Sequence, residues 1–193
     1  HRLAKSGSEA EENIEEATSA IVPRKGIIEI EKQIKEEKNS VQISISKNHL
    51  QVASDGCQAI TKLIDGKFPD FEKVIPANLD KLIVVDCKLF KDALLRVSIL
   101  SNDRFRGVRL NFVENEIQVT ANNPEKEEAS DNIKSVYTGE PIEIGFNVNY
   151  LIDVLNVIKT KNVQIAIKDA NSSALLAPEN DSASSYVVMP LRL

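Results

Sequence analysis

One local pattern occurs three times along the chain, and it restricts the possible folds more than any single motif does. Each copy reads strand, amphipathic helix, then three strands. The first copy spans Ser19 to Ile64. A short strand at Ala20 to Val22 leads into Pro23, whose fixed φ suits a helix start. Ile27, Ile30 and Ile34 recur at helical spacing and define an apolar face. Val41, Ile43 and Ile45 then alternate with Gln42, Ser44 and Ser46, the period of a strand. Strands at His49 to Ala53 and Cys57 to Ile64 follow, joined through Ser54-Asp55-Gly56.

The second copy opens with a strand at Leu82 to Val85 and an N-cap at Asp86. Its helix is expected to bury Phe90, Ala93, Leu94 and Val97. Strands at Gly107 to Phe112, Glu116 to Ala121 and Ile133 to Thr138 complete it, with a hairpin turn at Val113-Glu114-Asn115-Glu116. The third copy has a strand at Ile142 to Phe146, a cap at Asn147, and a helix burying Leu151, Val154, Leu155 and Ile158. Its strands are Val163 to Ile167, Ser173 to Ala177 and Ser185 to Met189. The helices open near Pro23, Cys87 and Val148, a period of about 60 residues.

A helix with one apolar face must cover a sheet, and alternating strands joined by short turns make that sheet mainly antiparallel. The fold class is therefore α+β, with repeated β-α-β-β-β units and helices on one face of each sheet. Pro69, Pro76 and the polar Ala77-Asn78-Leu79-Asp80 mark a boundary. Residues 76–193 pair two copies into one domain, and residues 1–75 form part of another whose partner copy would precede His1. The chain begins with His1, not Met, which points to processing or to a piece of a longer protein.

Composition excludes several function classes. At 42% apolar and 27% charged, the chain has enough material for a core and is not a disordered polyelectrolyte. A net charge of −5 argues against a histone-like polycation, though not against local basic patches. Five of the eight residues from Glu9 to Glu16 are acidic, which reads as a solvated loop or short helix. No apolar run approaches the ~18 residues of a membrane span, and no secretory leader is visible. Cys57 and Cys87 are too few for a disulfide framework, and with His1 and His49 too few for a metal or triad site. They read as reduced thiols of a cytoplasmic protein. Phosphate-binding glycine loops, GxSxG, CxxC and HExxH are all missing from the sequence. The carboxylate pairs have no nucleophile or metal set beside them, so neither catalysis nor a cofactor is expected.

Six strings are more specific. They are Leu63-Ile64-Asp65-Gly66-Lys67-Phe68-Pro69-Asp70-Phe71, Ser98-Ile99-Leu100-Ser101-Asn102 and Phe105-Arg106-Gly107-Val108-Arg109-Leu110. The others are Thr120-Ala121-Asn122-Asn123-Pro124-Glu125, Ile144-Gly145-Phe146-Asn147-Val148-Asn149-Tyr150-Leu151 and Tyr186-Val187-Val188-Met189-Pro190-Leu191-Arg192-Leu193. In this order the chain resembles the beta sliding-clamp family of bacterial DNA polymerase III. The resemblance covers nearly the whole chain; Lys5 to Thr18 is its weakest part.

The resemblance implies the C-terminal part of a ring of two subunits, three similar domains in each. Such a ring encircles duplex DNA without sequence preference and tethers a polymerase. It further implies a groove for short linear peptides of polymerases, the clamp loader and repair proteins, with a Gln near the peptide's start and a Leu-Phe end. Carried over by position, that groove comprises His1, Arg2, Leu3, Pro69, Lys73, Val74, Phe105, Asn147, Tyr150, Ser173, Val187, Val188, Met189, Pro190, Leu191 and Arg192. Lys73 and Leu191 depart from the family's usual Arg and Met. The DNA-facing cations would be Arg24, Lys25, Lys67, Arg96 and Lys159. The third helix presents Asn149, Asp153 and Asn156, a face that binds phosphate poorly. Ile99 and Leu100, with the acidic Glu125, Glu127, Glu128 and Asp131, would meet a neighbouring subunit in a homodimer. A binding module unrelated to replication and a small carboxylate enzyme remain as competing readings.

Overall fold

The computed structural model describes residues 1–8, 18–34, 40–54, 56–101, 106–181 and 183–192. The acidic stretch, Asp55 and Phe105 lie outside the described residues. In order, the elements are β1 (Arg2–Ser6), α1 (Arg24–Gln33), β2 (Gln42–Ile45), β3 (His49–Ser54), β4 (Cys57–Lys62) and a 3-10 turn (Phe71–Val74). Then come β5 (Lys81–Asp86), α2 (Cys87–Ser98), β6 (Gly107–Val113), β7 (Glu116–Asn122) and β8 (Glu128–Val136). The last are β9 (Ile142–Asn147), α3 (Val148–Val157), β10 (Asn162–Ile167), β11 (Ala174–Pro178) and β12 (Ser184–Val188). Contacts divide the chain into two units. His1–Glu9 joins Phe71–Leu193 in one, and Ala10–Asp70 forms the other.

In the larger unit the strands form one antiparallel sheet in the order β1-β12-β11-β10-β5-β8-β7-β6-β9. The second and third copies of the repeat exchange their first strands. β5 pairs with β10, and β9 pairs with β6. Alternation sends Ile83, Val85, Leu110, Phe112, Ile144, Phe146, Val163 and Ile165 to the inner face. There they meet Phe90, Ala93, Leu94 and Val97 of α2 and Leu151, Val154 and Leu155 of α3, as the helical spacing requires. Each buried Phe or Leu side chain stabilises by about 1.5–3 kcal/mol, and this common core makes two copies fold as one body.

Both helix starts are capped by side chains. Asp86 accepts from the backbone N–H groups of Lys88 (2.9 Å) and Leu89 (3.0 Å), satisfying two of the first turn's orphan donors. Asn147 accepts from Asn149 N–H at 3.0 Å. The turn after β6 places Asn115 at φ 59°, a left-handed conformation that Asn tolerates.

The smaller unit is looser. Strands β2-β3-β4 are antiparallel, and α1 lies on one face. Gly26 sits so close to Thr61 of β4 that a Cβ there would strike its side chain. Leu50 and Val52 are buried. The expected buried face of α1 is only half realised: Ile30 and Ile34 are half-buried beside Val52 and Ala59, while Ile27 is exposed. A three-stranded sheet with one helix leaves apolar area over, and Ile43 and Ile60 remain more than half exposed. The strand expected at Ala20 to Val22 reduces to one bridge, Ile21 to Ile64. β1 was not legible in the sequence at all.

Candidate functional site

Met189, Pro190 and Leu191 lie between the two edges of the larger sheet. β12 ends at Val188, and Pro190, which has no N–H, stops the ladder from continuing. Met189 N–H donates to the carbonyl of His1 at 3.0 Å, next to edge strand β1. Leu191 N–H donates to the carbonyl of Gly145 at 2.8 Å, on edge strand β9. Met189-Pro190-Leu191 is thereby stretched from one edge to the other. Met189 is 43% exposed, and Pro190 and Leu191 are half-buried.

Val187 and Val188 back this segment and do not line its surface. Val188 points into the core; Val187, on the opposite face of β12, is equally buried, in register with Leu3 and Leu175. Ser173 immediately precedes Ala174, which pairs with Val188. It is half-buried beside the start of the terminal segment.

The first turn of α3 forms the neighbouring wall. Tyr150 is half-buried, and Arg2 lies over it, with the guanidinium carbon 4.8 Å from the ring centre. Arg2 also forms an ion pair with Asp153, one helical turn further on. His1, Arg2, Leu3, Asn147, Tyr150, Ser173 and the residues from Val187 to Leu191 are thus brought together, with Arg192 exposed beyond them. Lys73 and Val74 stand exposed on the 3-10 turn of the same unit. Pro69 belongs to the smaller unit. Sequence reasoning missed two participants: the carbonyl of Gly145, and Asp153, read only as part of a helix face that binds phosphate poorly. The three-residue spacing of Tyr150 and Asp153 on one helix was the available signal.

An adaptable thioether, a proline and a leucine, flanked by an aromatic ring and a paired cation, suit an extended peptide with apolar side chains. Among the described residues there is no group of three or more His, Cys, Asp or Glu that could hold a metal ion.

The expected DNA-facing cations divide between the units. Arg24 and Lys25 open α1 and are exposed, as is Lys67; Arg96 and Lys159 are exposed on the larger unit. Glu29 and Lys32 pair with each other at 3.0 Å on α1. Arg96 is engaged within the chain. Its Nε (2.8 Å) and Nη2 (2.6 Å) both donate to one carboxylate oxygen of Asp131. The Arg96 charge is thereby matched within the chain, and Asp131 is the residue that matches it.

The pair also ties the last turn of α2 to β8, near the other residues expected to meet a neighbouring subunit. Ile99 is 78% exposed, and Leu100 is half-buried. Glu125, Glu127 and Glu128 lie in and after the link from β7 to β8, all exposed. Asn123 shapes that link: its Oδ1 accepts from Glu125 N–H and Glu127 N–H, both at 3.0 Å. Its Nδ2 donates to the Glu127 carboxylate at 2.7 Å.

Comparison with known proteins gives a consistent match. The family model for the DNA polymerase III beta subunit, central domain, matches residues 1–70. That for the DNA polymerase III beta subunit, C-terminal domain, matches residues 72–192. The chain is 44% identical over 193 residues to the beta sliding clamp of Pseudomonas putida, covering 100% of itself and 53% of that protein. It is 43% identical over 175 residues to the beta sliding clamp of Escherichia coli K12, covering 91% of itself and 48% of that protein. It superposes at a TM-score of 0.96 on a crystal structure of the Pseudomonas aeruginosa DnaN sliding clamp bound to griselimycin. The identity there is 42%, with 100% of this chain and 52% of that one covered. The chain spans about half the length of the relatives it matches.

Proposed function

Because the chain belongs to the DNA polymerase III beta subunit family, we propose that it is the C-terminal part of a ring-shaped sliding clamp, a processivity factor of DNA replication. Residues 76–193 are the third domain and residues 1–75 the end of the middle one. The whole protein, a cytoplasmic homodimer closed head to tail, encircles duplex DNA through sequence-independent phosphate contacts. It performs no bond chemistry. It raises the effective concentration of a tethered polymerase at the primer end. Ile99, Leu100 and the acidic residues Glu125, Glu127 and Glu128 meet the neighbouring subunit, whose matching surface precedes His1 in the full-length protein.

Partner peptides dock on the terminal segment. The observation that carries this reading is the stretch Met189-Pro190-Leu191, hydrogen-bonded at both ends and exposed at Met189. Fixed at His1 and Gly145, it needs little ordering when a peptide arrives. The peptide's Leu-Phe end rests against Met189, and its Gln against the polar groups at Asn147 and Tyr150.

The test is fluorescence anisotropy with a labelled peptide of that pattern, on this chain and on the full-length protein, with and without residues 189–193. The expectation is a micromolar Kd, about −8 kcal/mol, lost on truncation. Equal binding by the intact and truncated full-length proteins would refute the assignment.

A further inference from the structure

Arg2 joins two elements far apart in sequence. The β1–β12 register fixes its backbone beside Val188, one position before Met189. Its side chain crosses to α3, where the guanidinium covers the Tyr150 ring and pairs with Asp153. Tyr150 and Asp153 are three positions apart on that helix, so they share a face. The result is a linked set at the margin of the terminal segment, the guanidinium over the ring and paired with the carboxylate. The Arg2 and Asp153 side chains are 51% and 55% exposed, so the ion pair contributes little to folding. Its consequence is local. A free arginine at this place would sample many rotamers and carry an uncompensated charge. Held by Asp153, it stays over the ring and its charge is matched.

We infer that Asp153 is a positioning and specificity-determining residue of the peptide site. It keeps Arg2 on Tyr150 as a wall that exists before the peptide arrives, and it cancels the arginine's charge. The patch therefore selects a neutral extended segment over an acidic one. This rests on the peptide-binding reading above, and the experiment keeps the two separable.

Two labelled peptides are titrated against the full-length protein. One has Gln near its start and a Leu-Phe end; the other is identical except for a Glu in place of one central neutral residue. Asp153→Asn should weaken the neutral peptide about threefold and strengthen the Glu peptide. The ratio of their affinities should move at least fivefold. Asp153→Glu should return it to the wild-type value. In an Arg2→Gln background, Asp153→Asn should change the ratio no further. A ratio unchanged within twofold in Asp153→Asn, or no rescue by Asp153→Glu, would overturn the inference. Should the wild type bind neither peptide, the peptide reading fails, and positioning is read directly from the Tyr150 ring-proton NMR shifts. Arg2→Gln and Asp153→Asn should then move those shifts alike. Shifts unmoved by Asp153→Asn would overturn the positioning role itself.

Discussion

The Arg96–Asp131 pair allows a quantitative test of DNA contact. Arg96 was expected to face DNA, yet both of its hydrogen bonds go to one carboxylate oxygen of Asp131. The side chains are 61% and 25% exposed, so the pair is screened on the arginine side and sheltered on the acid side. Exposed pairs contribute about 0.2–1 kcal/mol; the sheltered acid places this one near the upper end. About 1 kcal/mol is a fivefold change in an equilibrium constant. Replacing Asp131 by Asn in the full-length protein should free the guanidinium. Affinity for duplex DNA should rise up to about fivefold, and the slope of log K against log salt should steepen by ~0.9, one phosphate contact. In an Arg96→Gln background the same change should leave the slope alone. Glu114→Gln, on the turn after β6, controls for the general loss of one negative charge. The assay is fluorescence polarisation with a labelled duplex between roughly 50 and 200 mM salt, with light scattering on the same samples to check that the subunits stay associated. An Asp131→Asn slope equal to that of the wild type would refute the reasoning, because Arg96 would then fail to reach phosphate even when released.

Three further outcomes follow from local geometry. Asp86→Ala leaves two backbone N–H groups of α2 without their acceptor, and should destabilise the larger unit by about 1–2 kcal/mol, lowering Tm by roughly 3–6 °C. Asn147→Ala removes one acceptor and should cost less in the same calorimetric scan; the opposite ranking would contradict the capping account. Gly26→Ala drives a Cβ into Thr61 and should reduce hydrogen-exchange protection in α1, although alanine favours helix over glycine by about 1 kcal/mol. Combined with Thr61→Ala the sign should reverse, and persistent loss of protection in the double variant would count against the clash. Of the two thiols, Cys57 is exposed, while burial, helped by the neighbouring Asp86 charge, pushes the Cys87 thiol up. One fast thiol per chain is expected with a disulfide reagent, the second reacting on unfolding.

The larger unit was legible in the sequence because its signals are local and agree with one another. Phe90, Ala93, Leu94 and Val97 share a helical face, Asp86 precedes that helix, and the strands alternate in register with it. Boundaries moved where pairing extends past the apolar run. β8 begins at Glu128, five residues before the expected Ile133, because β7 offers partners as far as Asn122. In the smaller unit the same kind of pattern was a weaker guide. Periodicity shows that Ile27, Ile30 and Ile34 share a face, but not what covers it. With β4 as its main support, α1 leaves Ile27 exposed.

The site was less legible than the fold because it is assembled by register across long separations. Nothing near Arg2 in sequence indicates that it will lie beside Val188, or that its charge will meet Asp153, 151 positions away. Read alone, an exposed Asp on α3 opposes phosphate; read with Arg2, it is half of a matched pair. The same separation in sequence hid the pairing of Arg96 with Asp131, 35 positions apart. Val187 and Val188 show the converse. Both were read as lining a groove, yet adjacent residues of a strand face opposite ways, so at most one could line any single surface. In this chain the sheet buries both. The exposed apolar surface passes to Met189, the first residue beyond β12, whose backbone still pairs with His1 and whose side chain is 43% exposed.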